Sequence, residues 1–81
     1  MSKENVIVYT KEDCGACDTV ITFLEQSGIT VETRNTSENQ EYLQEVIDLG
    51  FKSVPVTIAD GMAPFPDFDY PKLNQIVEQN Q

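Results

Sequence analysis

Apolar positions in this chain fall into runs whose spacing changes every ten or so residues, and the changes mark out its elements. Val6-Ile7-Val8-Tyr9 is a short, β-branched, uninterrupted run, which predicts a buried strand over Asn5 to Thr10. From Gly15 to about Gln26 the apolar residues Cys17, Val20, Ile21, Phe23 and Leu24 recur at helical spacing, and Gly28 is placed to end that helix. Thr30 to Thr33 alternates Val31 inward with Glu32 outward, the pattern of a second strand. Ser37-Glu38-Asn39-Gln40 resembles a capping box, and Tyr42, Leu43, Val46, Ile47 and Leu49 carry a second helical stripe to Gly50.

Val54-Pro55-Val56-Thr57-Ile58 predicts a third strand opening at a proline, and Asp60-Gly61 is a hairpin signal. A brief fourth strand is expected around Met62 to Phe65, pairing back onto the third. Asp69 can cap a last helix that tolerates Pro71 in its first turn, with Leu73, Ile76 and Val77 as its buried stripe. The polar residues Glu78 to Gln81 are expected to fray. The order is β-α-β-α-β-β-α, with no linker, repeat or low-complexity segment, so one domain over residues 1–81 is expected. A helical crossover makes the first two strands parallel and right-handed, and the hairpin makes the last two antiparallel. The expected architecture is α/β: a four-stranded mixed sheet flanked by three helices, on both of its faces.

Composition narrows the function. Hydrophobic residues make up 40% of the chain and aromatics 9%, as in a globular protein. At 81 residues the core is small, and a chain of this size buries about 60–65% of its unfolded surface. Fourteen acids against five bases give a formal charge of −9, which argues against nucleic acid or an anionic membrane as partner. Met1-Ser2-Lys3-Glu4-Asn5 lacks the apolar stretch of a secretory leader, and no segment reaches membrane-spanning length, so a cytoplasmic location is expected.

The chemistry concentrates in Cys14-Gly15-Ala16-Cys17, which holds both cysteines of the chain. In a reducing compartment a Cys-x-x-Cys pair is more often redox-active or metal-binding than a structural staple, and a bridge closing so short a loop stabilises little. At the first turn of a helix that follows a strand, free amides and the macrodipole favour a negative sulfur, so the leading thiol ionises more readily than a free one. Lys11 adds to this, while Glu12, Asp13 and Asp18 oppose it and keep the thiol among the less acidic of activated cysteines. A structural zinc site wants four Cys or His ligands, and the chain has two cysteines and no histidine, so no metal site is expected in the monomer.

Several of these residues together resemble one family. Tyr9-Thr10-Lys11 followed by Cys14-x-x-Cys17 resembles the opening of glutaredoxins, and of the glutaredoxin-like NrdH redoxins in particular. Gly50-Phe51-Lys52-Ser53-Val54-Pro55-Val56 is similar to the segment around the family's cis-proline. Phe65 to Leu73 has the spacing of the NrdH-type Trp-Ser-Gly-Phe-Arg-Pro-Asp-Lys-Leu segment, with Phe68, Lys72 and Leu73 keeping their identities. The resemblance implies a thioredoxin-like fold and a dithiol–disulfide oxidoreductase, with Cys14 as nucleophile and Cys17 as resolving thiol. It implies that Pro55 faces the dithiol and that Val54 offers main-chain groups to an incoming extended segment. Gly15 and Ala16 between the cysteines, Lys11, Lys52 and Phe68 would complete the contact surface for a partner or thiol substrate.

The resemblance also implies electrons from NADPH through thioredoxin reductase, a disulfide substrate such as ribonucleotide reductase, and no bound cofactor. A glutathione-dependent glutaredoxin is the same-fold alternative. Here the glutathione-binding Gly-Gly turn has no counterpart, Pro64 and Pro66 lack N–H donors, and Asp67 and Asp69 would repel the tripeptide's carboxylates. An alternative of another class is an iron–sulfur carrier, in which two chains and two outside thiols bridge a cluster and Gly15 follows the first ligand. A monomer is otherwise expected. Phe65 and Phe68 could cover the core or form an exposed apolar rim for a partner, with core the assignment for one of them, while Phe23, Tyr42, Phe51 and Tyr70 are assigned to packing.

Overall fold

Why one strand can hold two cores is set by the alternation of β1, Asn5–Thr10. The computed structural model describes residues 5–80; Met1 to Glu4, read above for a leader, and Gln81, the end of the tail, lie outside the described residues. In β1, Val6 and Val8 enter one apolar cluster, while Ile7 and Tyr9 enter another on the opposite face of the sheet. The first cluster is closed by Val20 and Leu24 of α1, Gly15–Gln26, and by Leu73 and Ile76 of α3, Tyr70–Gln79. The second is closed by Val46 of α2, Gln40–Asp48, with Tyr42 and Phe51 packed against it.

The sheet runs β2-β1-β3-β4, with β2 at Thr30–Asn35, β3 at Val56–Ile58 and β4 at Phe65–Pro66. β1 and β2 are parallel, whereas β3 is antiparallel to both β1 and β4. This is the expected thioredoxin-like mixed sheet with helices on both faces. Two helix ends are built alike. Gly28 and Gly50 take φ of +86° and +96°, letting Ile29 and Phe51 bond back to the carbonyls of Leu24 and Val46 at 3.0 and 3.1 Å. Each closure returns an apolar side chain to its core.

Four local expectations shift. β2 continues two residues past Thr33, because Arg34 and Asn35 stay paired with Tyr9 and Thr10. Ser37 does not cap α2. Asn39 does, its side-chain oxygen accepting the Glu41 N–H at 2.8 Å, while Ser37 Oγ accepts the Glu12 N–H at 3.2 Å. The fourth strand starts at Phe65 rather than Met62, since Pro64 has no N–H to give a ladder and Met62 packs on the first core from the loop. The tail stays helical through Gln79, and Asp69 caps α3 as expected, accepting the Lys72 N–H at 3.3 Å.

The α2 stripe also differs from its sequence pattern. Leu43 and Ile47 are 43% and 52% exposed, so that of the five apolar residues read there only Val46 is sealed. Tyr9 forms the polar edge of this layer. Its hydroxyl donates to Glu45 Oε1 at 2.6 Å, and Arg34, lying 5.6 Å over the rings of both Tyr9 and Tyr42, bonds Tyr9, Glu45 and Glu32.

Thr57 is a local conflict. It is fully buried in β3, and among the described residues its Oγ1 has no hydrogen-bond partner. Thr57→Val keeps the shape and removes the orphan hydroxyl, so it is expected to raise unfolding stability by about 1–3 kcal/mol. A thermal melt should rise by roughly 4–8 °C for each kcal/mol gained; a melt that stays put or falls would mean the hydroxyl is satisfied.

Candidate active site

The two cysteines differ in what the fold does to each. Cys14 is the N-cap of α1, with extended backbone (φ −111°), and its Sγ accepts the Cys17 N–H at 3.2 Å. Cys17, one turn on, is fully buried. The pair forms a disulfide with Cα atoms 5.2 Å apart, within the ordinary range. Cys14 is only partly buried and sits at the N-terminal end of α1, where the helix amides and macrodipole favour a negative charge. The sealed sulfur is left directly behind it. This arrangement suits attack by one thiol and displacement by the other.

The loop that presents Cys14 is fastened from β2. Thr36 donates both its N–H and its hydroxyl to the Thr10 carbonyl, at 2.8 and 3.0 Å, and Ser37 takes the Glu12 N–H. Asp13 then adopts φ +57°, which turns the chain from the strand into the helix cap. The Val54–Pro55 peptide bond is cis, Pro55 is buried, and the Pro55 carbonyl accepts the Asp67 N–H at 3.0 Å. That bond ties the loop before α3 to the proline segment.

The residues singled out from sequence separate into groups. Gly15 and Ala16 are exposed on the first turn of α1 between the cysteines. Lys11, Lys52 and Val54 come together in a groove of ≈ 300 Å³ that also takes in Thr36, Ser37 and Leu43. Phe68 is not in that groove. It is 41% exposed and lines a second one, of ≈ 350 Å³, with Asp18, Thr19, Thr22, Phe23 and Gln26. Phe65, by contrast, is fully buried, so one of the two phenylalanines is core, as expected. Sequence reasoning missed Thr36 as part of the first groove, and assigned Phe23 to packing alone although it lines the second. Tyr70 also departs from its packing role: it is 54% exposed, touching Phe23 edge-on at 5.8 Å.

Shifted ionisations gather away from the thiols, in the Tyr9 cluster. Burial and the Glu45 hydrogen bond raise the Tyr9 phenol above its usual value. The same hydrogen bond, helped by Arg34, holds the Glu45 carboxyl below the usual range. Arg34 is pushed further toward the charged form, chiefly by its hydrogen bond to Glu32. These groups pin α2 to β1 and β2 and carry no redox chemistry. Among the described residues, no set of three or more His, Cys, Asp or Glu side chains is placed to hold a metal ion, and no helix is long and apolar enough to cross a membrane.

Comparison with known proteins bears on the same residues. The glutaredoxin family model matches residues 6–63, a span that includes both cysteines and Pro55. The glutaredoxin-like protein NrdH of Lactococcus lactis subsp. lactis is 34% identical over 58 residues, covering 72% of this chain and 81% of the relative. Among solved structures, the fold superposes on the glutaredoxin-like NrdH-redoxin of Escherichia coli with a TM-score of 0.80 at 25% identity, over 88% of this chain and 92% of that one. It superposes on the thioredoxin-like protein BC3987 with a TM-score of 0.79 at 26% identity, over 88% and 97% of the two chains.

Proposed function

This chain belongs to the glutaredoxin family, as a thiol–disulfide oxidoreductase of the NrdH type, and on that premise we propose that it is a hydrogen donor for ribonucleotide reductase, kept reduced by thioredoxin reductase with electrons from NADPH. The carrying observation is the division of the dithiol into a partly exposed N-cap cysteine and a fully buried partner one turn behind it. Cys14 thiolate attacks one sulfur of the substrate disulfide, a Cys14–substrate disulfide forms, and the other substrate sulfur leaves as a thiolate and takes a proton. Cys17, once deprotonated, attacks Cys14 Sγ, closes the internal disulfide and expels the second substrate thiolate. Two electrons and two protons from the outside donor reset the pair, and no bound cofactor enters the cycle.

In this reading the backbone of Val54 and the buried Pro55 receive the extended segment bearing the substrate disulfide, across the exposed turn of Gly15 and Ala16. Lys11, Lys52 and Phe68 contact its flanks. The protein works in the cytoplasm, as a monomeric single domain. Thioredoxin reductase is favoured over glutathione by the segment before α3. Pro64 and Pro66 offer no N–H, and Asp67 and Asp69 bring negative charge where glutathione would bring carboxylates. The Escherichia coli relative is described as having a thioredoxin-like activity profile, which supports the same donor.

One observation favours the second reading, a glutathione-dependent glutaredoxin: the groove at Val54 gathers Lys11 and Lys52, two of five basic residues in a chain of charge −9. The two are separated by an NADPH-oxidation assay on a protein disulfide, run once with thioredoxin reductase and once with glutathione and its reductase. Fast turnover is expected in the first arm and slow turnover in the second. The reverse order would make glutathione the donor.

A further inference from the structure

Along the chain the dithiol falls between residues of two grooves of opposite character, Lys11 of one and Asp18 of the other. The groove holding Lys11 and Lys52 lies toward α2, whereas the one holding Phe68 lies along α1. In the second, Phe23 is the hub of a ring cluster, meeting Phe68 edge-on at 5.9 Å and Tyr70 at 5.8 Å. Phe68 and Tyr70 leave much of their rings to solvent. Asp18 lines the same groove, and Asp67 and Asp69 flank Phe68 in sequence. Lys72 lies 3.9 Å from Asp69 and partly offsets it, but among the described residues Asp18 and Asp67 make no ion pair.

We propose that this aromatic and acidic groove receives the flank of a partner protein's disulfide segment, and that the flank it fits carries an arginine beside the attacked cysteine. The proposal rests on the reductase reading of the dithiol and specifies its substrate class. Two features bring the groove close to the attacked sulfur. Asp18, which lines it, lies one helical turn after Cys14 on α1, and Asp67, next to the groove's Phe68, is bonded through its N–H to the Pro55 carbonyl at 3.0 Å. Cys17 is sealed, so the approach is to Cys14.

The chemistry then selects the occupant. A guanidinium stacks on aromatic faces, is weakly hydrated and bonds carboxylates in a fork, which matches exposed rings beside unpaired carboxylates. An acidic flank would meet like charge on the same ground. The ring cluster is held together before binding, so little side-chain freedom is lost on docking.

The test uses two disulfide-cyclised peptides that differ only in the residues flanking their cysteines, arginine in one and glutamate in the other. The second-order rate of their reduction by the reduced protein is measured at low ionic strength. The arginine peptide is expected to react about tenfold faster, an advantage that shrinks in roughly 0.5 M salt. The double variant Asp18→Asn and Asp67→Asn should erase most of that preference, and asparagine tolerates the left-handed φ of +64° at position 67. A remote double variant with the same charge change, Glu41→Gln and Asp48→Asn on α2, should keep it.

Equal rates for the two peptides would overturn the proposal, and so would a remote variant that erases the preference as fully as the near one. The second result would mean that only the general field of an acidic chain is felt. Failure to reduce either peptide would overturn the reductase reading itself, and this inference with it.

Discussion

Cys14→Ser is expected to lower disulfide reductase turnover on the order of 10³-fold or more, because the hydroxyl that replaces the thiol does not ionise near neutral pH and is a poor nucleophile toward sulfur. The loss will not come from unfolding. Cys14 is the N-cap of α1, and serine is among the best capping residues, so the introduced hydroxyl can accept the Cys17 N–H as sulfur does here. Cys17→Ser should behave differently. The first attack proceeds, the resolving step has no nucleophile, and a Cys14–substrate mixed disulfide accumulates that intact-mass measurement resolves from free protein. Because Cys17 is fully buried, a hydroxyl there lacks an assured partner, and Cys17→Ala is the parallel variant that traps without that cost. If the adduct collects on Cys14→Ser instead, the two cysteines have exchanged roles.

The placement of the two cysteines was legible because it depends on local order along the chain. A strand ending at Thr10 and a helical stripe starting after Cys14 put the first cysteine at a helix N-terminus, whatever the rest of the chain does. The burial of Cys17 follows from the same stripe, since it shares a face with Val20 and Leu24. Parallel pairing of β1 with β2 follows from the helix between them, and Asp69 reads as a cap because it directly precedes a helical stripe with proline in its first turn.

What stayed hidden depends on contacts between distant residues. Ser37-x-x-Gln40 has the letters of a capping box, but its hydroxyl is claimed by Glu12, 25 residues away. Helical spacing correctly places Leu43 and Ile47 with Val46 among the apolar residues of α2, yet spacing says nothing of how far neighbours cover them, and here both stay about half exposed. The bond from the Asp67 N–H to the Pro55 carbonyl is equally unreadable from sequence, although it ties the loop before α3 to the proline segment. The first groove needed the end of β2, α2 and the proline segment to converge, and of its residues only Lys11, Lys52 and Val54 were anticipated as contacts.

Phe65→Ala is expected to cost about 3–5 kcal/mol, a large share of the roughly 4–12 kcal/mol that a chain of 81 residues has to lose. Phe65 heads the largest fully buried side chains, and it belongs to a strand of two residues, too short for ladder hydrogen bonds to hold it. The ring anchors β4 instead. It packs with Leu24, Leu73 and Ile76 in the core between the sheet and α1 and α3, pairs in register with Thr57, and carries the Lys72 ammonium 5.6 Å above it. Truncation leaves a ring-sized void and frees the segment that runs on to Asp67 and its bond to Pro55. Phe65→Leu fills much of that void and should cost only about 1–1.5 kcal/mol. Urea unfolding checks both: the midpoint should fall steeply for alanine and slightly for leucine, with unchanged slope. A loss below about 1 kcal/mol for Phe65→Ala would mean that the short strand is held by something other than its ring.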